Sequence, residues 1–225
     1  MIEHINLNET PSLKQLVYDH LLRQIVSGRL PPNTRLLEAE IASAMNVSRA
    51  PIREALNMLE RDGFTRIIPY KGSVVAEVTA QNVHEIWEIR CLLEPYVAKV
   101  SCKSIPRERL YELSERLNKL EQHPEDFDEY TDSDCDVHSI LYEYHDNNYM
   151  KDILSKLKTH SVRMRWIERQ TKNPEACLAS IREHQVIVDA LLEGDPDKIY
   201  TAVYNHIKDS QNRVMEEIAA YQKTV

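Results

Sequence analysis

Asp134 and His138 stand four residues apart, a spacing that on a helix puts both side chains on one face, where they can hold one cation between them. His184 lies ten residues before Gly194, and His206 ten after Pro196. At about 1.5 Å of rise per residue, an antiparallel helical hairpin turning through Gly194-Asp195-Pro196 sets those two imidazoles level. Three imidazoles and a carboxylate suit a divalent transition metal, zinc first, with nickel, manganese or iron as alternatives. Such a set leaves coordination positions open for water or for a ligand's carboxylate. With nine histidines in the chain, a pair brought level by chance is the plainer alternative.

A second constellation is basic. Arg49 and Arg53 share a helix face at the same four-residue spacing, with Ser48 and Ala50 on either side of Arg49. A guanidinium can bond guanine O6 and N7 in bidentate fashion or clamp a phosphate, and Ser48 can give its hydroxyl to a phosphate while capping the helix. Lys71 and Gly72, between two β-like runs, add a cation and a point where backbone can approach a groove. Two arginines on a helix also describe an ordinary solvated face, so the element that carries them decides.

Periodicity predicts those elements. Leu13, Leu16, Val17, Leu21 and Ile25 recur at helical spacing over 12–27, with Gly28 as the stop. A turn at Pro31-Pro32-Asn33 precedes a short helix over 38–45 with Ile41 inward, and a longer helix opens at Ser48. Pro51 is tolerated in that helix's first turn, Ile52, Leu56 and Leu59 form its apolar stripe, and Gly63 ends it. The runs 64–68 and 73–78 read as strands flanking Pro69-Tyr70-Lys71-Gly72. Three helices and a β-hairpin predict a winged helix-turn-helix over 1–78, whose helix from Ser48 would enter the major groove. From Thr79 on, breakers at Pro106, Pro124, Asn147-Asn148, Pro174 and Gly194 divide helical patterns near 79–100, 106–122, 126–146, 149–170, 175–193 and 197–222. The expected class is mainly α: the winged domain, then an all-α antiparallel bundle over 79–225.

Composition agrees. The chain has only 4 glycines among 225 residues, where average usage gives about 16, which speaks against glycine-rich phosphate loops and turn-rich β folds. Residues 1–78 hold nine basic and nine acidic side chains, so the whole net charge of −8 sits in 79–225. The net charge argues against a protein that coats nucleic acid, and its uneven spread argues for two parts with different tasks. No apolar run approaches the roughly 18 residues of a membrane span, and residues 1–8 carry Glu3 and His4 without a cationic and apolar leader, so a cytoplasmic protein without a membrane partner is expected. Cys91, Cys102, Cys135 and Cys177 form no C-x-x-C pair and read as reduced thiols.

Over 13–78 the sequence resembles the GntR family of bacterial transcription regulators. The resemblance is carried by Ser27-Gly28-Arg29-Leu30, by Glu38-x-Glu40-Ile41-Ala42, and above all by Val47-Ser48-Arg49-Ala50-Pro51-Ile52-Arg53-Glu54-Ala55-Leu56 followed by Leu59-Glu60-x-x-Gly63. It implies phosphate or base contacts from Ser48, Arg49 and Arg53, with Gly72 in the wing. Asn33 and Asn46 stand where the family usually has glycine, and Asn is the next best residue for positive φ. Ala39 stands where some relatives carry an arginine that touches DNA, which implies a different operator or a lower affinity.

Residues 79–222 resemble the FCD ligand-binding domain of the FadR subfamily, in its VanR-like six-helix branch. The matching residues are Ile89-Arg90-x-x-Leu93-Glu94, Asp134-x-x-x-His138, Glu183-His184-x-x-Ile187-x-x-Ala190-Leu191 and His206-Ile207. In that domain an Asp and three His bind a divalent metal near a cavity for a small organic acid, which implies that role for Asp134, His138, His184 and His206. Arg90 resembles the cation that meets the ligand carboxylate, and a salt bridge with Glu94 is its equal alternative. Trp87 and Trp166 are expected in core or cavity wall, His145 and His160 at the surface or in packing, and 125–136 as a solvated acidic face apart from Asp134.

The reading is a homodimeric, metal-containing transcription regulator, of a family whose members are most often repressors. It would bind a palindromic double-stranded operator and respond to a small carboxylate effector. A metalloenzyme, with water activated at an open metal, is the rival. It lacks an accompanying base motif such as His-Glu-x-x-His and leaves the winged domain without a task. A third reading keeps the DNA-binding half and makes the bundle a metal-free dimerisation module for an acyl ligand.

Overall fold

In the computed structural model, which describes residues 11–171 and 173–221 and all their side chains except those of 166–171 and 221, Ser12 starts the first helix. Residues 1–8 and the side chain of Trp166 lie outside the described residues. Ser12 accepts a hydrogen bond from the Gln15 amide and opens α1 (Leu13–Val26). The chain divides into two compact units, Met1–Glu77 and Val78–Val225.

The first unit continues through β1 (Arg35–Leu36), α2 (Glu38–Met45), α3 (Arg49–Arg61), β2 (Thr65–Ile68) and β3 (Gly72–Val75). Val17, Leu21 and Ile25 of α1 meet Ile52, Leu56 and Leu59 of α3 and Phe64 in one apolar core. Burying each such side chain contributes about 1.5–3 kcal/mol, so the amphipathic stripes hold the helices together. Asn46 ends α2 in the left-handed region at φ 52°, and Asn33 sits at φ 68°, so both asparagines do make the positive-φ turns. The expected wing hairpin is in fact a three-stranded antiparallel sheet in the order β1-β3-β2. The added strand, β1, is fastened by hydrogen bonds of 2.9 Å from Asn33 N to Val75 O and from Val75 N to Thr34 O. Two residues cannot display an alternation, so sequence periodicity is blind to β1. Strand β3 also stops at Val75 rather than Val78, where Ala76 N turns to Phe64 O.

The second unit has six described helices: α4 (Ala80–Ser101), α5 (Arg107–Glu121), α6 (Phe127–Glu143), α7 (Asn148–Thr171), α8 (Pro174–Glu193) and α9 (Pro196–Tyr221). Local chemistry sets the boundaries. A reciprocal capping box between Thr79 and Asn82 opens α4, and Asp126 and Asn173 cap α6 and α8. Gly194, at φ 76°, closes α8 in the left-handed conformation that an L side chain rarely adopts. Helix α4 packs along α9, α5 against α8, α8 against α9, and α6 against α7 and α8. Trp87, Leu117, Val137, Leu141, Ile181, Ile187, Ile199, Val203 and Ile207 fill the centre. Among the described residues no helix is long and apolar enough to cross a membrane.

Candidate metal centre and nucleic-acid interface

Three helices bring the expected quartet together: α6 supplies Asp134 and His138, α8 supplies His184, and α9 supplies His206. Their nearest donor atoms all lie within 4.8 Å of one another, and all four residues are buried. The hairpin through Gly194 does level the two later histidines, with His184 Nε2 3.2 Å from His206 Nε2. His206 Nε2 is also 3.2 Å from His138 Nε2. Asp134 Oδ1 lies 3.4 Å from His184 Nε2 and 3.7 Å from His138 Nε2.

Two carboxylates orient these rings from behind. Glu94 Oε2 is 2.7 Å from His138 Nδ1, and Glu183 Oε2 is 2.8 Å from His206 Nδ1. Assigned from this network, each Nδ1–H donates to its carboxylate, so each Nε2 presents a lone pair to the centre. Two lone pairs facing each other at 3.2 Å repel unless a cation lies between them. Two nitrogens bound to one metal at about 2.0–2.1 Å stand about 3 Å apart, so the spacing fits an ion. His184 Nδ1 has no hydrogen-bond partner among the described residues.

The electrostatics favour neutral rings and an ionised carboxylate. Burial, reinforced by the neighbouring rings and guanidinia, pushes His184 and His206 well below the ordinary histidine value. Burial alone would raise the Asp134 carboxyl, but the Arg165 guanidinium, 2.5 Å from Oδ1, holds it below the usual carboxylate range with help from His138 and His184. Glu94 is likewise lowered against its burial by Arg90 and His138.

Arg90, 1% exposed, makes the salt bridge to Glu94 at 2.6 Å. The same guanidinium places Nη2 3.2 Å from His138 Nε2 and leaves Nη1 buried without a hydrogen-bond partner. The salt bridge therefore uses only part of Arg90's donor capacity. A cavity of about 10 Å³ lies between Arg90, Asp134, His138, Lys158 and Arg165, room for a single water. Sequence reading did not find Glu94 and Glu183 as ring-orienting groups, nor Arg165 and Arg213. Arg213 grips Glu183 with contacts of 2.7 and 2.6 Å. At Glu94 the signals were the i,i+4 step from Arg90 and its place in the segment Ile89-Arg90-x-x-Leu93-Glu94. Trp87 is buried, as a core residue should be.

The basic constellation is on the other unit. Ser48, Arg49, Ala50 and Arg53 lie exposed at the start of α3, and Lys71 and Gly72 lie exposed at the tip of the wing. Ser48 occupies the N-cap position of α3 in extended backbone, but its side chain makes no capping hydrogen bond, against the expectation that it caps. Arg53 is held by Glu38 through paired contacts of 3.0 and 2.9 Å. Arg49 makes no such pair among the described residues. Gly72, at φ 80°, has open space where a Cβ would stand.

Comparison with known proteins follows the division into units. Residues 13–75 match the model of the bacterial regulatory proteins of the gntR family, and residues 85–209 match the FCD domain. The HTH-type transcriptional repressor RspR of Escherichia coli K12 is 28% identical over 218 residues, covering 96% of this chain and 95% of the repressor. The solved structure of E. coli McbR/YncC superposes with a TM-score of 0.73 at 23% identity, over 96% of this chain and 100% of that one. The Zn2+-bound FCD domain of TM0439 aligns with a TM-score of 0.54 at 16% identity, covering 65% of this chain and 100% of that domain. The domains and relatives are those of transcription regulators rather than enzymes.

Proposed function

From the premise that this chain belongs to the GntR family of bacterial transcription regulators with an FCD domain, we propose that its DNA affinity is controlled by a small carboxylate bound beside a divalent metal. The metal would be held by Asp134, His138, His184 and His206. The observation that carries this reading is the set of three buried imidazoles whose Nε2 atoms converge at 3.2 Å steps beside an ionised Asp134. When bound, the metal supplies a Lewis-acidic centre with open positions for a ligand's oxygen atoms, with zinc the first candidate.

The chain's own residues do the rest. Glu94 and Glu183 fix the tautomers and orientations of His138 and His206. Arg90, with Nη1 unpaired, offers a charge-assisted bond to an anion. The adjoining cavity of about 10 Å³ is too small for an organic acid, so admitting one requires the side chains that line it to move apart. A ligand that binds only the opened form shifts the population toward it. On DNA, Ser48, Arg49, Ala50 and Arg53 would face base edges and phosphates from the major groove while Lys71 and Gly72 approach the neighbouring groove. A homodimer acting in the cytoplasm as a repressor would set two such helices on a palindromic operator.

The test is elemental analysis of untagged protein purified without chelator, beside an Asp134→Ala, His138→Ala variant. A near-stoichiometric first-row metal that disappears in the variant is the expected result. No metal in either protein removes the metal centre and leaves the DNA-binding assignment standing.

A further inference from the structure

An aromatic residue stands at the tip of the wing, where the backbone favours glycine. Between β2 and β3 the Lys71 N–H donates to Ile68 O at 3.0 Å, closing a turn over 68–71. Pro69 fills the second place of that turn and Tyr70, at φ 64°, the third. A proline followed by positive φ is the type II pattern, whose third place ordinarily goes to Gly or Asn. The other positive-φ residues besides glycine are Asn33 and Asn46, so Tyr70 is the one bulky side chain among the described residues held in this region. A β-carbon and ring there cost conformational energy that glycine would not.

Among the described residues nothing packs on that ring to offset the cost: Tyr70 is 107% exposed. Its surroundings are cationic. Lys71 is exposed next to it, and Arg35 of β1 brings Nη2 to 3.5 Å from Lys71 O. Strain kept at an exposed site points to a use outside the fold. An aromatic ring beside two cations has the chemistry of a nucleic-acid contact, in which the cations meet phosphates on the groove walls while the ring packs on deoxyribose and its hydroxyl reaches a base edge.

We infer that Tyr70 reads the minor groove next to the major groove that α3 enters, with its ring on the groove wall and its hydroxyl donating to adenine N3 or thymine O2. The guanine amino group projects into the same groove and obstructs the ring, so the operator should carry an A·T pair at that flank. This rests on the reading that the wing approaches DNA, and adds to it a base preference and the residue that sets it.

Selection of duplexes from a random-sequence DNA library by the full chain tests it, followed by titration of the duplex the wild type selects, with thermal melting as the folding control. The wild type should select a core sequence flanked by an A·T pair. Tyr70→Gly, which removes the ring and suits the turn, should select the same core without that flank preference, bind the wild-type duplex about tenfold more weakly, and melt no lower than the wild type. Tyr70→Phe keeps the ring without the hydroxyl and should fall between the two in affinity and in preference. A Tyr70→Gly profile that keeps the flank preference overturns the assignment, as does a loss of affinity equal on every duplex. A lowered melting temperature also overturns it, because the ring would then serve the fold. Lys71→Ala separates this inference from the reading beneath it: if that substitution weakens binding while Tyr70→Gly does not, the wing still meets DNA and the role of Tyr70 falls, and if neither matters, both fall.

Discussion

His184 and His206 are held neutral by burial, so each has a folded-state pKa below its ordinary 6.5. Above that pH the imidazoles are neutral in both folded and unfolded chains and cost nothing. As pH falls below 6.5 the unfolded chain takes up protons that the folded site refuses, so stability declines. The urea midpoint of the metal-free protein should therefore be level between pH 8 and 7 and fall between 6.5 and 5; a midpoint that stays level to pH 5 contradicts neutral burial. Glu183→Gln keeps an acceptor for His206 Nδ1 but removes the charge that both His206 and Arg213 use. Metal affinity, read by competition with a chelator, should drop by about 10–100-fold. At the other unit, Arg49→Ala should weaken operator binding by about 1–3 kcal/mol, and unchanged affinity would remove that contact. Arg53 must release Glu38 to reach DNA. Glu38→Gln should then leave operator affinity equal or raise it by a few-fold, the scale of an exposed ion pair, and a large loss would show that Glu38 instead positions the arginine for binding.

The hairpin of α8 and α9 is the element that makes the quartet. It levels His184 and His206 because Gly194 turns the chain at φ 76° and Asp195 accepts from the Asp197 and Lys198 amides at the start of α9. Gly194→Val forces a β-branched residue into the left-handed region, at about 1–2 kcal/mol. It should lower thermal stability by that amount and weaken metal binding as well, since the two histidines sit on opposite arms. In the winged unit, Asn46 does the equivalent work between α2 and α3 at φ 52°. Asn46→Gly should be close to neutral and Asn46→Val destabilising, read by thermal melting. Both turns were legible in the sequence, because positive φ has few candidate residues. Strand β1 was not, because its two residues form a strand only by pairing with β3, to which the turn at Asn33 brings them.

For the whole molecule, the metal is linked to folding by mass action. At a free metal concentration about a hundredfold above its dissociation constant, binding adds about 2.7 kcal/mol. For a chain of this size that raises the melting temperature by about 5–10 °C, and chelation should reverse it; a melting curve indifferent to metal and chelator would sink the site. The sequence by itself determined the order of the parts, the six described helices of the second unit, the helix that carries Arg49 and Arg53, and the four residues proposed as metal ligands. Each of these is written in local terms, as apolar periodicity, caps, breakers and counted rise along a hairpin. Only the tertiary structure decided what stands behind the ligands. Glu94 and Glu183 reach His138 and His206 across 44 and 23 residues of chain, and Arg165 meets Asp134 from a different helix. It also decided that Arg90 pairs with Glu94 while keeping one buried nitrogen free, and that the space beside it is closed to one water's volume. Those facts depend on how helices distant in sequence pack side by side, and the hydrophobic effect that drives that packing is non-directional, so no spacing along the chain records its outcome.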